Sequence, residues 1–353
     1  MYLRKISVPS HLRFASSFKE LSDNIDEVLC QNSYKRFLIV SGRGSVRRVA
    51  KKLFDSLSKR RKGELLVLEA NSMATVKDLA DFAKKYKPEL IIGTGGGKIL
   101  DVAKLGASKS KIPFFSVPTQ VSHDGISSPV AIIKDGNKTL SLGAAIPKGV
   151  FVPLYLVKKA SARSTSSGVG DLLSNITAVR DWQLAAEKGM EEYDDYAAIV
   201  AHTAANSIYT SYNNYASSKI DFTEDFIIRL VEGLILSGVA MEISGNSRPC
   251  SGSEHKISHA IDALFNSPAL HGEQVALGIL ISLYLQGGDY EKMRKFFSLV
   301  GLPVHPKEIG LTKTQLVEAV CYAPQTRPGR YTILEKKNIK KRQAVEIVNN
   351  LWD

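Results

Sequence analysis

Short apolar segments that end in glycine or polar residues recur through the first 150 residues, and helix-compatible sequence separates them. Four of these segments predict strands, at residues 36–40, 65–68, 90–92 and 113–117. Short strands that alternate with helices are typical of a parallel sheet with helices on both faces, because such strands are buried on both sides. The first part of the chain is therefore predicted to be an α/β domain with a doubly wound parallel sheet.

The pattern changes from about residue 160 onwards. Apolar residues then recur at the spacing of one helical face, as at Leu172, Ile176 and Val179. A chain of 353 residues is also long enough for two domains. We predict an α/β domain over residues 1–160 and an all-α domain over residues 161–353.

The formal net charge of +12 is compatible with a nucleic acid, a membrane surface or an anionic small molecule as partner. The basic runs at residues 51–52, 59–62 and 336–342 are short and do not interleave with aromatic residues as in a nucleic-acid-binding module. We interpret them as solvated surface and expect no nucleic-acid partner. The alternative, a nucleic-acid-binding protein, would bind with steep salt dependence.

The N-terminal 32 residues lack the apolar core of a signal peptide. No segment reaches the roughly 18 apolar residues that are needed to cross a bilayer. Cys30, Cys250 and Cys321 are odd in number and widely separated, so they predict neither a disulfide framework nor a zinc-binding cysteine motif. We expect a cytoplasmic protein without membrane insertion.

The sequence GTGGGKILD at residues 93–101 is the first chemical signal, because it follows an apolar strand and opens a helix. Glycine lets an anion approach main-chain N–H groups, and a helix N-terminus favours a pyrophosphate. The spacing matches neither the GxGxxG fingerprint nor a Walker loop. From these residues alone, a tight structural turn and a phosphate cradle are equally compatible.

A second polar loop, PTQVSHDG at residues 118–125, follows the next predicted strand. Ligands collect at the carboxyl ends of the strands in a parallel α/β sheet. The two loops are therefore predicted to face one crevice.

Three segments of the predicted helical domain carry candidate metal ligands. Asp171 follows Gly-Val-Gly and is expected at or near the first turn of a helix. His255 and His259 lie four residues apart on one helical face, and His271 follows a break at residues 266–268. One carboxylate and two imidazoles suit a catalytic zinc and also ferrous iron. A hydrogen-bonded histidine pair without a metal is the alternative that the spacing leaves open.

Taken together, these motifs resemble the superfamily of iron-type alcohol dehydrogenases, glycerol dehydrogenases and dehydroquinate synthases. Within it, the best match is to the archaeal-type glycerol-1-phosphate dehydrogenase family. The resemblance spans about residues 36–353. It is carried by residues 93–101, 122–129, 170–171, 178–182, 237–241, 248–255, 270–273, 330–334 and 351–353.

The resemblance implies a dehydroquinate synthase-like fold, with a dinucleotide-binding first domain and a metal- and substrate-binding second domain. It makes Asp171, His255 and His271 the metal ligands and catalytic residues, with zinc as the usual ion and Fe²⁺ or another divalent ion compatible. Asp124, Asp171 and His259 become substrate contacts. NAD or NADP would contact Gly95, Gly96, Gly97, Lys98, Asp101, Thr119, Ser122 and Ser128.

Arg248 lies seven residues before the first histidine ligand, where the related synthases hold an arginine for an acidic group of their substrate. We therefore expect Arg248 and His259 to help hold a substrate phosphate. Arg43, Arg47 and Arg48 follow the first predicted strand and could receive a 2′-phosphate. The sequence thus leaves the choice between NAD and NADP open.

The reaction implied is metal-assisted hydride transfer between NAD(P)H and dihydroxyacetone phosphate, which gives sn-glycerol 1-phosphate for archaeal membrane phospholipids. A glycerol dehydrogenase that acts on an unphosphorylated polyol is the alternative enzyme, and a requirement for the phosphate would separate the two. Members of the superfamily often form homo-oligomers, so we expect one here.

Overall fold

The computed structural model describes residues 6–136, 138–213 and 218–353. The chain divides into two compact units, Met1–Ala160 and Ser161–Asp353. The first unit contains strands and helices, and the second contains helices and no strand in the part of it that is described.

Eight strands belong to the first unit: β1 (His11–Ala15), β2 (Arg36–Ser41), β3 (Lys62–Val67), β4 (Leu90–Gly95), β5 (Phe114–Pro118), β6 (Val130–Asp135), β7 (Lys138–Gly143) and β8 (Gly149–Pro153). Six of them form one sheet with the order β1-β8-β5-β4-β2-β3, and all of its adjacent pairs are parallel. The other two, β6 and β7, form an antiparallel pair.

The helices of this unit follow from capping and apolar spacing. They are α1 (Phe18–Gln31), α2 (Ser45–Leu57), α3 (Met73–Tyr86), α4 (Gly97–Ser110) and the short α5 (Leu154–Val157). Ser17 and Ser72 cap α1 and α3, because each hydroxyl accepts a hydrogen bond from a main-chain N–H in the first turn. The buried faces of α1 and α2 pack with Phe37, Ile92 and Phe115 of the sheet in one apolar core.

The predicted doubly wound parallel sheet is confirmed, and the four predicted strands correspond to β2, β3, β4 and β5. Sequence analysis did not find β1 or β8. β1 lies at the edge of the sheet and most of its residues are half-buried, so it shows no apolar run. β8 is fully buried, but its short apolar run lies between Gly149 and Pro153 and so resembles a turn.

The second unit is built from nine described helices: α6 (Ala162–Glu187), α7 (Asp195–Asn213), α8 (Glu224–Ser244), α9 (Ser253–Phe265), α10 (His271–Leu285), α11 (Tyr290–Val300), α12 (Lys313–Thr326), α13 (Ile333–Lys337) and α14 (Lys341–Trp352). α10 packs against both α6 and α9, and α12 packs against α9. None of the described helices in the chain is long and apolar enough to span a membrane.

The expectation that Asp171 lies at or near the first turn of a helix is wrong. It lies well inside α6, which begins after a serine cap at Ser161. The two glycines before it suggested a helix start, because glycine is unfavourable within a helix. Here Gly170 permits close packing: a Cβ at this position would overlap the carbonyl oxygen of Gly272 on α10.

Candidate metal centre and active site

Three of the predicted ligands come together in the second unit. The distances are 3.5 Å from Asp171 Oδ1 to His255 Nε2, 3.4 Å from Asp171 Oδ1 to His271 Nε2, and 3.2 Å between the two Nε2 atoms. Three ligand atoms of a tetrahedral zinc ion, each at about 2.0–2.2 Å from the metal, would lie about 3.3–3.5 Å apart. The residues therefore fit a divalent metal ion.

One side of this cluster is open. The Asp171 and His255 side chains are 5% and 10% exposed, whereas the His271 side chain is 34% exposed. A catalytic metal keeps a coordination position for water or substrate beside its protein ligands. The arrangement is thus of the catalytic kind rather than the closed, four-ligand structural kind.

Close backbone contacts bring the three ligand-bearing helices together. Gly272, next to His271, could not carry a Cβ, because this atom would overlap the carbonyl oxygen of Ser167 on α6. The Gly272 N–H donates to Ser167 Oγ at 3.1 Å. On the other side of α10, a Cβ at Gly278 would lie 2.5 Å from the carbonyl oxygen of Glu254 on α9. Glycine at these crossings sets the spacing of the ligands.

A buried carboxylate orients the first histidine. Glu254 is fully buried, and its Oε1 accepts a hydrogen bond from His255 Nδ1 at 2.9 Å. Glu254 itself accepts from Thr177 Oγ1 at 2.8 Å and from the Gly252 N–H. With Nδ1 donating to Glu254, His255 turns the lone pair of Nε2 towards Asp171 and His271, as in carboxylate–histidine–metal arrangements.

The electrostatics of the cluster favour a bound cation. Burial lowers the pKa of His255, but hydrogen bonds to Asp171 and Glu254 outweigh this effect and raise the pKa to about 9. Burial likewise raises the pKa of Asp171, but the two imidazoles hold it well below its usual range. The negative surroundings that stabilise a proton on His255 would likewise stabilise a metal cation bound at this position.

His259 flanks the cluster without belonging to it. Its ring centroid lies 6.2 Å from that of His255 and 6.4 Å from that of His271. Its Nε2 is buried and makes no hydrogen bond within the described part of the chain. Burial, followed by the charge of Arg327, lowers the pKa of His259 well below its usual value, so the imidazole is neutral. A neutral ring with an unused nitrogen suits contact with a polar ligand.

Arg248 has a different environment from the one expected of a substrate contact. Its side chain is 1% exposed, forms an ion pair with Glu191 and donates from Nη1 to the Tyr331 carbonyl oxygen at 2.6 Å. Its Nε is buried and lacks a hydrogen-bond partner among the described residues. Most of the guanidinium is therefore committed to protein groups.

Sequence analysis assigned no role to Asp181, which anchors two helices beside the cluster. Its carboxylate accepts hydrogen bonds from the Ser253 N–H at 2.7 Å and from the Ile333 N–H at 2.8 Å. These residues begin α9 and α13, whose N-termini attract negative charge. The available signal was an aspartate on an apolar helix face, which indicates a buried carboxylate with fixed partners.

In the first unit, the glycine loop lies at the point where the direction of strand addition reverses. The chain adds β3 on one side of β2 and then β4 on the other, so the loops after β2 and β4 leave the sheet side by side. Gly42 approaches Ile99, since a Cβ at Gly42 would lie 3.1 Å from Ile99 Cγ1. Such reversals create the crevice in which doubly wound sheets bind ligands.

The predicted coenzyme contacts are gathered at this edge. Gly95 pairs with Pro118 in the β4–β5 register, and the Thr119 N–H donates to the Gly95 carbonyl oxygen at 3.0 Å. α4 begins at Gly97, and its cap residue Gly96 contributes no side-chain hydrogen bond. No side chain of the cap residue therefore occupies the main-chain N–H groups at the N-terminus of α4. An anion site requires such N–H groups to be available.

The other predicted coenzyme contacts differ in exposure. Lys98 is exposed, and Ser122 and Asp124 are half-buried. Ser128 is almost fully buried, with its N–H bonded to the Asp124 carbonyl oxygen at 2.8 Å. Asp101 is also buried: it pairs with Lys104 at 3.2 Å and accepts from the Ile132 N–H at 3.2 Å, so it joins α4 to β6.

Comparison with known proteins places the chain in a family. It is 41% identical over 280 residues to the glycerol-1-phosphate dehydrogenase [NAD(P)+] of Nitrosopumilus maritimus, an alignment that covers 79% of this chain and 77% of the relative. It is 35% identical to the enzyme of that name from Methanosphaera stadtmanae, over 98% of each chain. The chain belongs to the glycerol-1-phosphate dehydrogenase family. The family resemblance and the oxidoreductase class inferred from the sequence are thereby confirmed.

The wider superfamily is matched at the levels of sequence and fold. A family model described as iron-containing alcohol dehydrogenase matches residues 19–161. A probable glycerol dehydrogenase from Sinorhizobium meliloti has a TM-score of 0.76 at 20% identity, over 99% of this chain and 98% of that one. A sulfoacetaldehyde reductase from Bifidobacterium kashiwanohense, solved with NAD+, has a TM-score of 0.72 at 16% identity, over 99% of both chains. At these identities the structures establish the fold alone.

Proposed function

We propose that this protein is an sn-glycerol-1-phosphate dehydrogenase that interconverts dihydroxyacetone phosphate and sn-glycerol 1-phosphate with NAD(P)H as hydride donor. The observation that carries the proposal is the triad of Asp171, His255 and His271, with ligand atoms at metal-binding spacing and one open side. The names of the relatives, at 35–42% identity, support the choice of substrate. In an archaeal cell the product would supply the glycerol backbone of membrane phospholipids.

The two units have separate roles in this proposal. The first would bind the coenzyme: residues 96–101, at the N-terminus of α4, would hold the pyrophosphate, and Thr119, Ser122 and Ser128 would contact the nicotinamide half. The position of the loops at the strand-order reversal supports this assignment. Asp101 would support the glycine loop at residues 93–97, because its carboxylate is buried and pairs with Lys104. The second unit holds the metal and the substrate.

The metal would be held by Asp171, His255 and His271, and we propose zinc, although ferrous iron suits the same donors. When bound, the ion polarises the substrate oxygen as a Lewis acid, and the nicotinamide donates or accepts the hydride. The protein residues hold these groups. Glu254 fixes the tautomer of His255, and Asp171 supplies the negative charge that retains a dication.

Substrate contacts would come from Asp124, Asp171 and His259. His259 supports the assignment most directly, because its buried Nε2 lacks a partner in the described structure and lies beside both histidine ligands. This nitrogen can form a hydrogen bond with a substrate hydroxyl without adding charge to the site.

The coenzyme preference would be set beyond the end of β2. Arg43, Arg47 and Arg48 are exposed there, and Arg43 forms an ion pair with Glu69 after β3. We propose that the site accepts NADP as well as NAD. The exposed guanidinium groups can bind a 2′-phosphate, and Glu69 competes with that phosphate for Arg43.

We also propose a homo-oligomer. Tyr196 and Ile199, on the first turns of α7, are 56% and 63% exposed, which is high for large apolar side chains. Light scattering would report the assembly size, and a strict monomer would contradict this part of the proposal.

The experiment that tests the function is oxidation of NADH and NADPH with dihydroxyacetone phosphate and, separately, with dihydroxyacetone. Each assay is run as isolated, after chelation, and after return of Zn²⁺ or Fe²⁺. We expect metal-restored activity that is confined to the phosphorylated ketone. A preference for the free ketone would instead assign the protein to the glycerol dehydrogenases, and turnover that survives chelation would exclude the metal.

A further inference from the structure

Two arginines that have no ion-pair partner among the described residues lie together just after the end of α12. Arg327 donates from Nη1 towards Ser247 Oγ at 3.3 Å and Ser251 Oγ at 3.5 Å. Arg330 donates from Nη2 to the same Ser247 Oγ at 2.9 Å and from Nη1 to the Ser251 carbonyl oxygen. Because they share both serines, the two guanidinium groups are neighbours in spite of their like charges.

The carboxylates of Glu191 and Glu254 offset the positive charge of this pair only in part. Other cations nearby have partners: Arg248 pairs with Glu191, and Lys256 pairs with Glu335 at 2.6 Å. In the described part of the chain, no carboxylate lies within ion-pair distance of Arg327 or Arg330. Both arginines are half-buried, and like charges held together without a direct counter-ion are unfavourable, so the cluster suits a bound anion.

The effect of this crowding is visible in the acidity of the groups. Burial, then Arg327 and then Arg248, lower the pKa of Arg330 to about 9. Burial also lowers the pKa of Arg327. Both guanidinium groups still carry their charges at neutral pH. An anion bound between them would relieve the repulsion.

The arginine pair adjoins the metal centre through His259. The hydroxyl of Thr326, the last residue of α12, donates to the Lys256 carbonyl oxygen of α9 at 3.4 Å. Lys256 is the residue after the ligand His255. After burial, the charge of Arg327 has the largest effect on His259, whose ring also adjoins His255 and His271. His259 therefore lies near both the metal ligands and the arginine pair.

We propose that Arg327 and Arg330 form the phosphate-binding subsite of the active site. Two guanidinium forks match the oxygens of a phosphate dianion in geometry and charge. In the substrate of the proposed function, on which this inference rests for the identity of the ligand, the phosphate ester is attached to the carbon next to the reacting carbonyl. The phosphate must then bind beside the metal, where the arginine pair lies. Arg248 has a supporting role instead of contacting the phosphate, because Glu191 and Tyr331 occupy its guanidinium.

Direct binding tests the subsite without turnover. Inorganic phosphate is titrated by calorimetry into the zinc-loaded wild type and into Arg327→Ala, Arg330→Ala and Arg327→Lys. Loss of a charged hydrogen-bonding group should weaken phosphate binding about ten- to a hundredfold in each alanine variant. The lysine variant keeps the charge and loses the fork, so its loss should be smaller. Arg342→Ala, an exposed arginine on α14, is the matched control and should bind as the wild type does.

Zinc content and far-UV circular dichroism establish that each variant retains its fold and its metal. If an alanine variant does not fold, Arg327→Lys and Arg330→Lys provide the comparison, because they preserve the charge that the surrounding groups already accommodate. Phosphate affinity that is unchanged in the folded variants, or reduced equally in Arg342→Ala, would overturn the proposal.

Kinetics separate this inference from the proposed function. In Arg327→Ala and Arg330→Ala, kcat/KM should fall about ten- to a hundredfold for dihydroxyacetone phosphate, chiefly through KM, and should change little for dihydroxyacetone. If the wild type prefers the phosphorylated ketone and the variants keep this preference, the proposed function stands and the proposed phosphate subsite is wrong. If the wild type binds phosphate through these arginines but does not turn over dihydroxyacetone phosphate, the phosphate subsite stands and the proposed substrate is wrong.

Discussion

At the scale of single residues, the metal centre depends on a carboxylate that is not one of its ligands. Glu254 has no exposed surface and holds Nδ1 of His255. Replacement by glutamine keeps the size and an acceptor oxygen but removes the charge. We expect Glu254→Gln to weaken metal affinity about ten- to a hundredfold, measured against a competing chelator. Glu318→Gln, at an exposed position on α12, is the control, and equal affinity in both variants would contradict the role of Glu254.

Asp181 should make stability depend on pH. Burial and the nearby Glu254 raise its pKa to about 6, against the hydrogen bonds from Ser253 and Ile333. The folded state thus holds this proton more tightly than the unfolded state, whose pKa is near 3.8. The free energy of unfolding should therefore fall, by about 3 kcal/mol at most, as pH rises from about 4 to about 6, and this contribution should be constant above that range.

Urea unfolding of the wild type and of Asp181→Asn, at equal metal content and across this pH range, measures the contribution as the difference between the two proteins. A difference that does not change with pH would show that Asp181 titrates as an ordinary carboxyl group.

Sequence analysis predicted which residues come together in the candidate metal centre, but it did not predict their surroundings. Asp171, His255 and His271 stand out because few residue types bind metals, and they do meet in the structure. Arg330 lies in a segment that carries the family resemblance, but neither it nor Arg327 was assigned a role, because an arginine in a basic chain is usually a solvated surface group. Only tertiary packing reveals that their charges lack carboxylate partners in the described structure.

At the scale of helices and strands, the centre depends on how closely α10 approaches α6. Gly272→Ala would place a methyl group against the backbone of Ser167, which cannot move aside as a flexible side chain can. We expect a loss of about 1–3 kcal/mol in stability and a shift of His271 that weakens metal binding. Thermal unfolding and zinc stoichiometry test this.

Gly143→Ala, where a Cβ would meet nothing within 4 Å, is the matched control. If Gly272→Ala were as stable and as rich in zinc as Gly143→Ala, the close helix contact would not control the ligand geometry.

The start of α4 depends on a similar contact. A Cβ at Gly97 would overlap the His123 ring, which is held by a hydrogen bond from the Gly125 N–H to Nδ1 at 3.0 Å. Gly97→Ala should therefore disturb the loop and weaken NAD(P)H binding at least about tenfold, with zinc content unchanged. Coenzyme fluorescence titration measures the affinity. Unchanged affinity would indicate that the coenzyme does not approach this loop.

Apolar sequence patterns predicted the strands that are buried on both faces. They gave the wrong position for Asp171 within its helix, because its surroundings are set by a distant contact. β2, β4 and β5 are continuous apolar runs, and they were found. Asp171 was assigned to a helix start because local propensity disfavours two glycines within a helix. Packing against Gly272 reverses that preference, and a contact so distant in sequence cannot be read from local spacing.

At the scale of the whole molecule, the family relationship and the metal cluster point to the same chemistry. The chain belongs to a family of named dehydrogenases, and the residues of its second unit meet at metal-binding spacing. A metal that binds only the folded state stabilises it by mass action, about 4 kcal/mol at a thousandfold excess over Kd. Chelation should therefore lower Tm as well as abolish activity. Equal Tm values with and without chelator would contradict a high-affinity site.

The most direct test of the central claim is the product formed from dihydroxyacetone phosphate and NAD(P)H by the zinc-loaded protein, compared with His271→Ala. We predict that the wild type forms sn-glycerol 1-phosphate, identified by chiral analysis, and that the variant, which lacks one of three ligands, loses nearly all activity. Formation of the opposite enantiomer, absence of product in the wild type, or undiminished turnover in His271→Ala would contradict the account.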